Sequence, residues 1–294
     1  MPALRSECAG LTIGRGRERR SAGRDAPAAQ AAAGRRCKAV YTCVMQLPWL
    51  APGDPLPDPA QAWGPADPVP GLLAGGGALD VPTLLDAYGH AVFPWFSGDQ
   101  PILWWSPDPR MTLAPTAFKL HRSLRKVLQA FRADARCEIR IDHDFDAVIR
   151  ACSSAPRDGQ SGTWIVPPMV EAYGALHRAG YAHSVETWID GERVGGLYCV
   201  AIGRAVFGES MFARRSDASK IALAALVCFC LRHGIERIDC QQNTAHLASL
   251  GAEEMPRAHF VEHVARAREQ AAPAWHFEPV YWSELLPTRS AQAT

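Results

Sequence analysis

SVETWID (184–190), RVGGLYCVAIG (193–203) and AVFGES (205–210) stand in succession, parted by Gly191-Glu192 and by Arg204. Apolar and polar residues alternate along these stretches and glycines mark the breaks, so the region reads as a β-meander. Asp217 to His233 follows with the long apolar run of a buried helix, and Gly234 stops it. IERIDC (235–240) is a further strand, and TAHLASL (244–250) a short helix closed by Gly251. Strands, helix, strand and helix in that order make a mixed α/β domain.

Working back from the meander, Pro168 opens a helix with Val170, Tyr173 and Leu176 in one stripe, ending at Gly180. Another spans Phe145 to Cys152. A third, Arg122 to Arg132, turns Leu124, Val127, Leu128 and Phe131 inward and carries Arg122, Arg125, Lys126 and Arg132 on or near the other face. Prolines limit FPWF (93–96) and PILWWSPDPR (101–110) to short strands and turns. Asp80 caps a short helix with Pro82 in its first turn and Leu84, Leu85 and Tyr88 on one face. Pro48 to Pro70, rich in Pro, Ala and Asp, reads as an extended arm rather than a packed element.

With 294 residues, 48% hydrophobic and 21% charged, the chain can bury a sizeable core. Its longest apolar run, Ile221 to Leu231, falls short of the roughly 20 residues of a membrane span. Nine cysteines form no CxxC pair and no zinc spacing, which reads as reduced, buried thiols in a cytoplasmic protein. The first 44 residues carry eight Arg and Lys38 against Glu7, Glu18 and Asp25, with almost no apolar periodicity, and are expected to be disordered. Such a leader can mimic a transit peptide or bind RNA; the plainest expectation is that synthesis begins at Met45. Of the chain's 31 basic and 30 acidic residues, 22 and 27 then remain, a net charge of −5, so any polyanion site must be a local patch.

IDCQQNTAHLASLGA (238–252) is where chemistry is sought. Asp239 and Gln241, two apart, share one side of an extended strand end, where the carboxylate can hydrogen-bond the amide and the amide can orient an amine. Asp239 as a turn cap and Gln241 as a partner of buried backbone is the alternative, and spacing alone favours it. Leu223, Leu226 and Cys230 make a helix stripe that core packing ordinarily explains. GLLAGGG is no Walker loop, since no GK[ST] follows, and His246 is a lone histidine.

GLLAGGGALDVPTLLDAY, FPWF, PILWWSPDPR, SGTWI, AHSVETW, GESMF, DASK and IDCQ…HLASLGA occur in this order. Together, over about Gly71 to Phe260, they resemble the leucyl/phenylalanyl-tRNA–protein transferase family. The resemblance implies an acetyltransferase-like larger domain (116–270) preceded by a small N-terminal α/β domain (45–115), with 1–44 a leader or mis-assigned start and 271–294 a tail. It implies transfer of Leu or Phe, with Met a further donor, from Leu-tRNA and Phe-tRNA to proteins with N-terminal Lys or Arg, marking them for degradation. No metal, no organic cofactor and no membrane are implied, and a cytoplasmic monomer is expected.

The same resemblance gives the residues roles. Asp239 and Gln241 are catalytic; Leu197, Val206, Met211, Leu223, Leu226, Cys230 and Ile238 line the donor side-chain pocket. Tyr88, Trp95, Trp164 and Tyr173 stack on or pack around the terminal adenosine, and Glu209 meets the acceptor's basic side chain. Arg122, Arg125, Lys126 and Lys220 face tRNA phosphates. Ala78, Ala91 and Ala213 depart from the family's usual Asp, Gly and Ser, which bears on loop shape more than on chemistry. Two other classes stay open: an acyltransferase using aminoacyl-tRNA or acyl-coenzyme A with a different acceptor, and a non-catalytic tRNA-binding module.

Overall fold

The computed structural model describes residues 47–155 and 165–287. The expectations for 1–44, and that for Trp164, lie outside the described residues. The described residues form one compact unit.

Two sheets organise it. A four-stranded sheet holds β1 (Trp49–Leu50), β2 (Leu72–Gly76), β3 (Phe93–Pro94) and β4 (Leu103–Trp105) in the order β1-β2-β4-β3. A seven-stranded sheet holds β5 (Arg110–Leu113), β6 (Cys137–Ile141), β7 (Ala182–Ile189), β8 (Glu192–Ile202), β9 (Ala205–Ala213), β10 (Ile238–Gln241) and β11 (Glu253–Met255). Its order is β11-β5-β10-β9-β8-β7-β6. The helices are α1 (Val81–Gly89), α2 (Arg122–Ala133), α3 (Phe145–Ser154), α4 (Pro167–Arg178), α5 (Ala218–Arg232), α6 (Ala245–Ser249) and α7 (Arg257–Ala267). The fold is mixed α/β, as the meander-helix-strand order implies.

Pleating sorts the helices between the two faces of the larger sheet. Along β8, Leu197, Cys199 and Ala201 join the core cluster built on α5. Tyr198 between them meets Phe145 of α3 and Tyr173 of α4. α5 is buried almost all round, and its start sits hard against β8: a β-carbon at Gly195 would lie 2.5 Å from Ala218 Cβ. Only glycine permits that approach.

Three expectations change. The segment 48–70 is packed, not a free arm: Leu50, Trp63 and Val69 are buried, and β1 pairs with β2 in parallel. The strand after α5 begins at Ile238 rather than Ile235, because the Ile235 N–H closes the helix end onto Cys230 O. Residues 275–286, expected as a tail, contribute Tyr281, Trp282 and Leu286 to the core, and Trp275 stacks between His183 and Phe229. Among the described residues no helix is long and apolar enough to cross a membrane.

Candidate active site

Two neighbouring strands, β9 and β10, break their regular pairing at the same level. They pair in parallel at Ile238↔Val206 and Asp239↔Phe207. In β9 the register to β8 jumps from Cys199↔Gly208 to Tyr198↔Ser210, which leaves Glu209 as the extra residue of a bulge. In β10 the register to β5 jumps from Asp239↔Thr112 to Gln241↔Met111, which leaves Cys240 extra, and Gln241 takes a left-handed φ of 61°. A bulge re-aims the side chains beside it. Here two bulges turn Glu209 and Gln241 toward each other.

Glu209 is the hub. Its Oε1 accepts from Tyr88 Oη at 2.7 Å and from Gln241 Nε2 at 3.0 Å, and its Oε2 from Tyr173 Oη at 3.3 Å. The two tyrosine oxygens also lie within hydrogen-bond reach of each other, so the few protons are shared among the three groups. Burial pushes the Glu209 carboxyl up from its ordinary 4.5 to about 7. The Tyr88 hydrogen bond opposes this, the charge on Asp239 adds to it, and the Gln241 and Tyr173 hydrogen bonds oppose it further. Both tyrosines are held well above 10, first by burial and then by the charge on Glu209.

Asp239 is placed differently from the expectation. Its carboxylate does not meet the Gln241 side chain. Oδ1 accepts from Arg110 Nε at 2.8 Å and from the Gln241 backbone N–H at 2.9 Å, and Oδ2 from Arg110 Nη2 at 2.6 Å. The positive φ at Gln241 is the physical reason: an extended strand would have put both side chains on one side, whereas the left-handed turn sends the Gln241 amide to Glu209. Asp239 is 1% exposed, so it reaches a substrate only through other groups. Nothing in the sequence marks its partner Arg110, a single arginine closing a proline-rich motif with no spacing that points to a carboxylate.

Tyr88 and Tyr173 are also corrected. Both are fully buried with their hydroxyls on Glu209, so neither offers a ring face to a base. Trp95 is partly buried, with its ring edge-to-face against Trp105 at 5.3 Å. Of the residues expected to line a donor pocket, Leu197, Val206, Leu223, Leu226, Cys230 and Ile238 are packed in one core cluster, with Met211 partly buried against it. Burial also drives the Cys230 thiol far up, keeping it a neutral apolar group.

Arg122, Arg125 and Lys126 are exposed on α2, while Leu124, Leu128 and Phe131 face the core. Arg125 Nη1 reaches Leu285 O at 3.4 Å. Lys220, in the first turn of α5, is partly exposed and paired to Asp217 at 2.8 Å. Ala91 has a left-handed φ of 61°, where a β-carbon costs roughly 1–2 kcal/mol. Among the described residues no cluster of His, Cys, Asp and Glu could hold a metal ion.

Comparison with known proteins carries this further. Residues 112–265 match the family described as leucyl/phenylalanyl-tRNA protein transferase, and residues 77–108 match the N-terminal domain of the same family. The leucyl/phenylalanyl-tRNA–protein transferase of Polaromonas sp. (strain JS666) is 65% identical over 240 residues, covering 82% of this chain and 94% of that one. This chain belongs to the leucyl/phenylalanyl-tRNA–protein transferase family. The transferase of Burkholderia vietnamiensis (strain G4) is 57% identical over 232 residues, with 79% of this chain and 91% of that one covered. Among solved structures, a GCN5-related N-acetyltransferase from Kribbella flavida superposes with a TM-score of 0.31 at 12% identity, over 57% of this chain and 58% of that one. That superposition is too loose to add to the strand order above. For this transferase family member, the Glu209–Gln241 bridge lies within the larger matched segment, and Tyr88 comes to it from the smaller one.

Proposed function

We propose that the chain transfers Leu or Phe, with Met a further donor, from aminoacyl-tRNA to the α-amine of proteins beginning with Lys or Arg, acting as a cytoplasmic monomer and creating a degradation signal. The observation that carries the proposal is the Glu209–Gln241 bridge, set where β9 and β10 stop pairing. An ester is already activated, so the protein has mainly to hold amine and carbonyl together and steer a proton. Gln241 Nε2 is committed to Glu209, which leaves the Gln241 amide oxygen to accept from the acceptor's amine. That amine titrates near 7.7–8.0, so a useful fraction arrives neutral and no histidine is required. Its nitrogen bonds the carbonyl carbon, the bond to the ribose oxygen breaks, and that oxygen takes the proton the nitrogen loses.

Glu209 Oε2, with one long hydrogen bond, is the atom that faces the acceptor's positive side chain. The donor side chain enters beside Met211 and the Leu226 cluster, Trp95 and Trp164 serve the terminal adenosine, and α2 with Lys220 meets phosphates. Incubation with labelled Leu-tRNA and an Arg-starting peptide tests this directly. Label in the peptide is expected; tRNA bound but never deacylated would leave a binding module, and transfer to another acceptor a different acyltransferase.

Two further outcomes follow from the geometry. Neutralising Arg122, Arg125 and Lys126 together is expected to weaken Leu and Phe donors alike and to flatten the salt dependence by up to about 0.9 per lost phosphate contact. A salt slope that does not move would make these side chains a solvated face. Leu226→Trp is expected to overpack α5 against β8, a cost of roughly 1–3 kcal/mol, and to exclude Leu and Phe while uncharged tRNA still binds. Equal loss of charged and uncharged tRNA would count against a pocket at this position.

A further inference from the structure

We propose that Arg110 is a positioning residue of the transfer reaction, holding Asp239 so that Asp239 fixes the backbone of Gln241 and thereby aims the Gln241 amide. The inference rests on the reading of Gln241 as the group that orients the amine.

Arg110 is 1% exposed, and each of its nitrogens is used. Nε and Nη2 form a two-pronged pair with Asp239, and Nη1 donates to Ala91 O at 3.1 Å. The guanidinium lies between two rings, 4.7 Å from the centre of Phe93 and 4.8 Å from that of Phe260. Four separate elements grip this one side chain: the turn after α1, β3, α7 and β10. Burying an ion pair seldom stabilises a fold more than apolar side chains of like volume would. The arrangement therefore asks for a reason beyond stability, and its geometry supplies one.

Asp239 Oδ1 is shared between Arg110 Nε and the Gln241 N–H. That N–H belongs to a residue in a left-handed conformation, which a non-glycine residue keeps only when its surroundings impose it. With Arg110 clamping both oxygens, Asp239 cannot rotate away. The Gln241 backbone stays turned and its Nε2 stays on Glu209. Lysine would keep the charge but lose the fork. A loosened Asp239 would free Gln241 to relax toward extended backbone and carry its amide off the hub.

The arrangement has an electrostatic side as well. Glu209 is faced by Tyr88 from α1, Tyr173 from α4, the neutral Gln241 and the charged Asp239 from β10, and Cys199 from β8. Arg110 is the cation against Asp239, so its removal leaves a bare negative charge acting on Glu209.

The test compares Arg110→Lys and Arg110→Met with wild type, measuring transfer from Leu-tRNA to an Arg-starting peptide, donor Kd, acceptor KM and the pH profile. For Arg110→Lys the expectation is kcat down about 100-fold, the effect of a small misplacement of a reacting group, with donor Kd and acceptor KM little changed. In Arg110→Met the acidic limb of the profile is expected to move to higher pH, while in Arg110→Lys it stays. Should Arg110→Met fail to fold, Arg110→Lys decides alone. Wild-type kcat per folded molecule in Arg110→Lys, or donor affinity and kcat falling in equal proportion, would overturn the proposal. If the wild-type chain itself transfers nothing, it is the reading of the function that fails.

Discussion

Asp239→Ala is expected to lose about 3–5 kcal/mol of stability, because it leaves the Arg110 charge buried without its partner. Arg110 is 1% exposed and no water can reach in to replace the carboxylate without opening the packing between Phe93 and Phe260. The Gln241 N–H loses its acceptor in the same stroke. Chemical denaturation reads the first effect as a lower midpoint at unchanged slope. Asp239→Asn is the gentler companion: one oxygen and one amide remain, the shape is kept, and transfer is expected to drop about 100-fold, the effect of a small misplacement of the Gln241 amide. Near-wild-type kcat in a folded Asp239→Asn would reduce Asp239 to a cap.

Glu209→Gln is expected to move stability and activity in opposite directions. The folded carboxyl titrates at about 7 against an ordinary 4.5. Below pH 4.5 the group is neutral in both states and the substitution should matter little to stability. Between 4.5 and about 7 the unfolded chain gives up its proton while the folded one keeps it, so the wild type loses stability as pH rises. Above that window the permanently neutral glutamine should be more stable by about 1–3 kcal/mol. The same variant should bind Lys- and Arg-starting acceptors poorly, through a raised KM. In the wild type, acceptor KM should rise as pH falls through about 7, because protonation removes the charge that attracts the acceptor. Thermal melts at pH 4.5 and pH 8 separate these claims from a general packing defect, which would lower both melts.

How far the sequence could be read depended on whether one chain segment carried its own pattern. Glycine turns part β7, β8 and β9, and α2 shows its polar face, so these elements can be read from the chain itself. β2 is buried along nearly its whole length and rich in glycine, which erases alternation. The packing of 48–70 was hidden because Trp63 and Val69 are single apolar residues among prolines. At the site, Asp239, Gln241 and Glu209 stood out as polar groups at strand ends. Their partners did not, because a bulge and a left-handed φ are set by neighbouring strands rather than by local composition. The family resemblance makes Tyr88 and Tyr173 candidates to stack on or pack around the terminal adenosine, and only the assembled fold shows their hydroxyls turned on a carboxylate.

Arg110 and Asp239 are 129 residues apart in the chain. A growing polypeptide therefore carries Arg110 through the synthesis of 129 further residues before the carboxylate that pairs it exists. At about 5–20 residues per second, several seconds separate the appearance of the guanidinium from that of its carboxylate. Trp275, Tyr281 and Trp282 arrive later still and complete the core around α5. The order of the strands thus leaves this ion pair, and the core around α5, unassembled until most of the chain has been made.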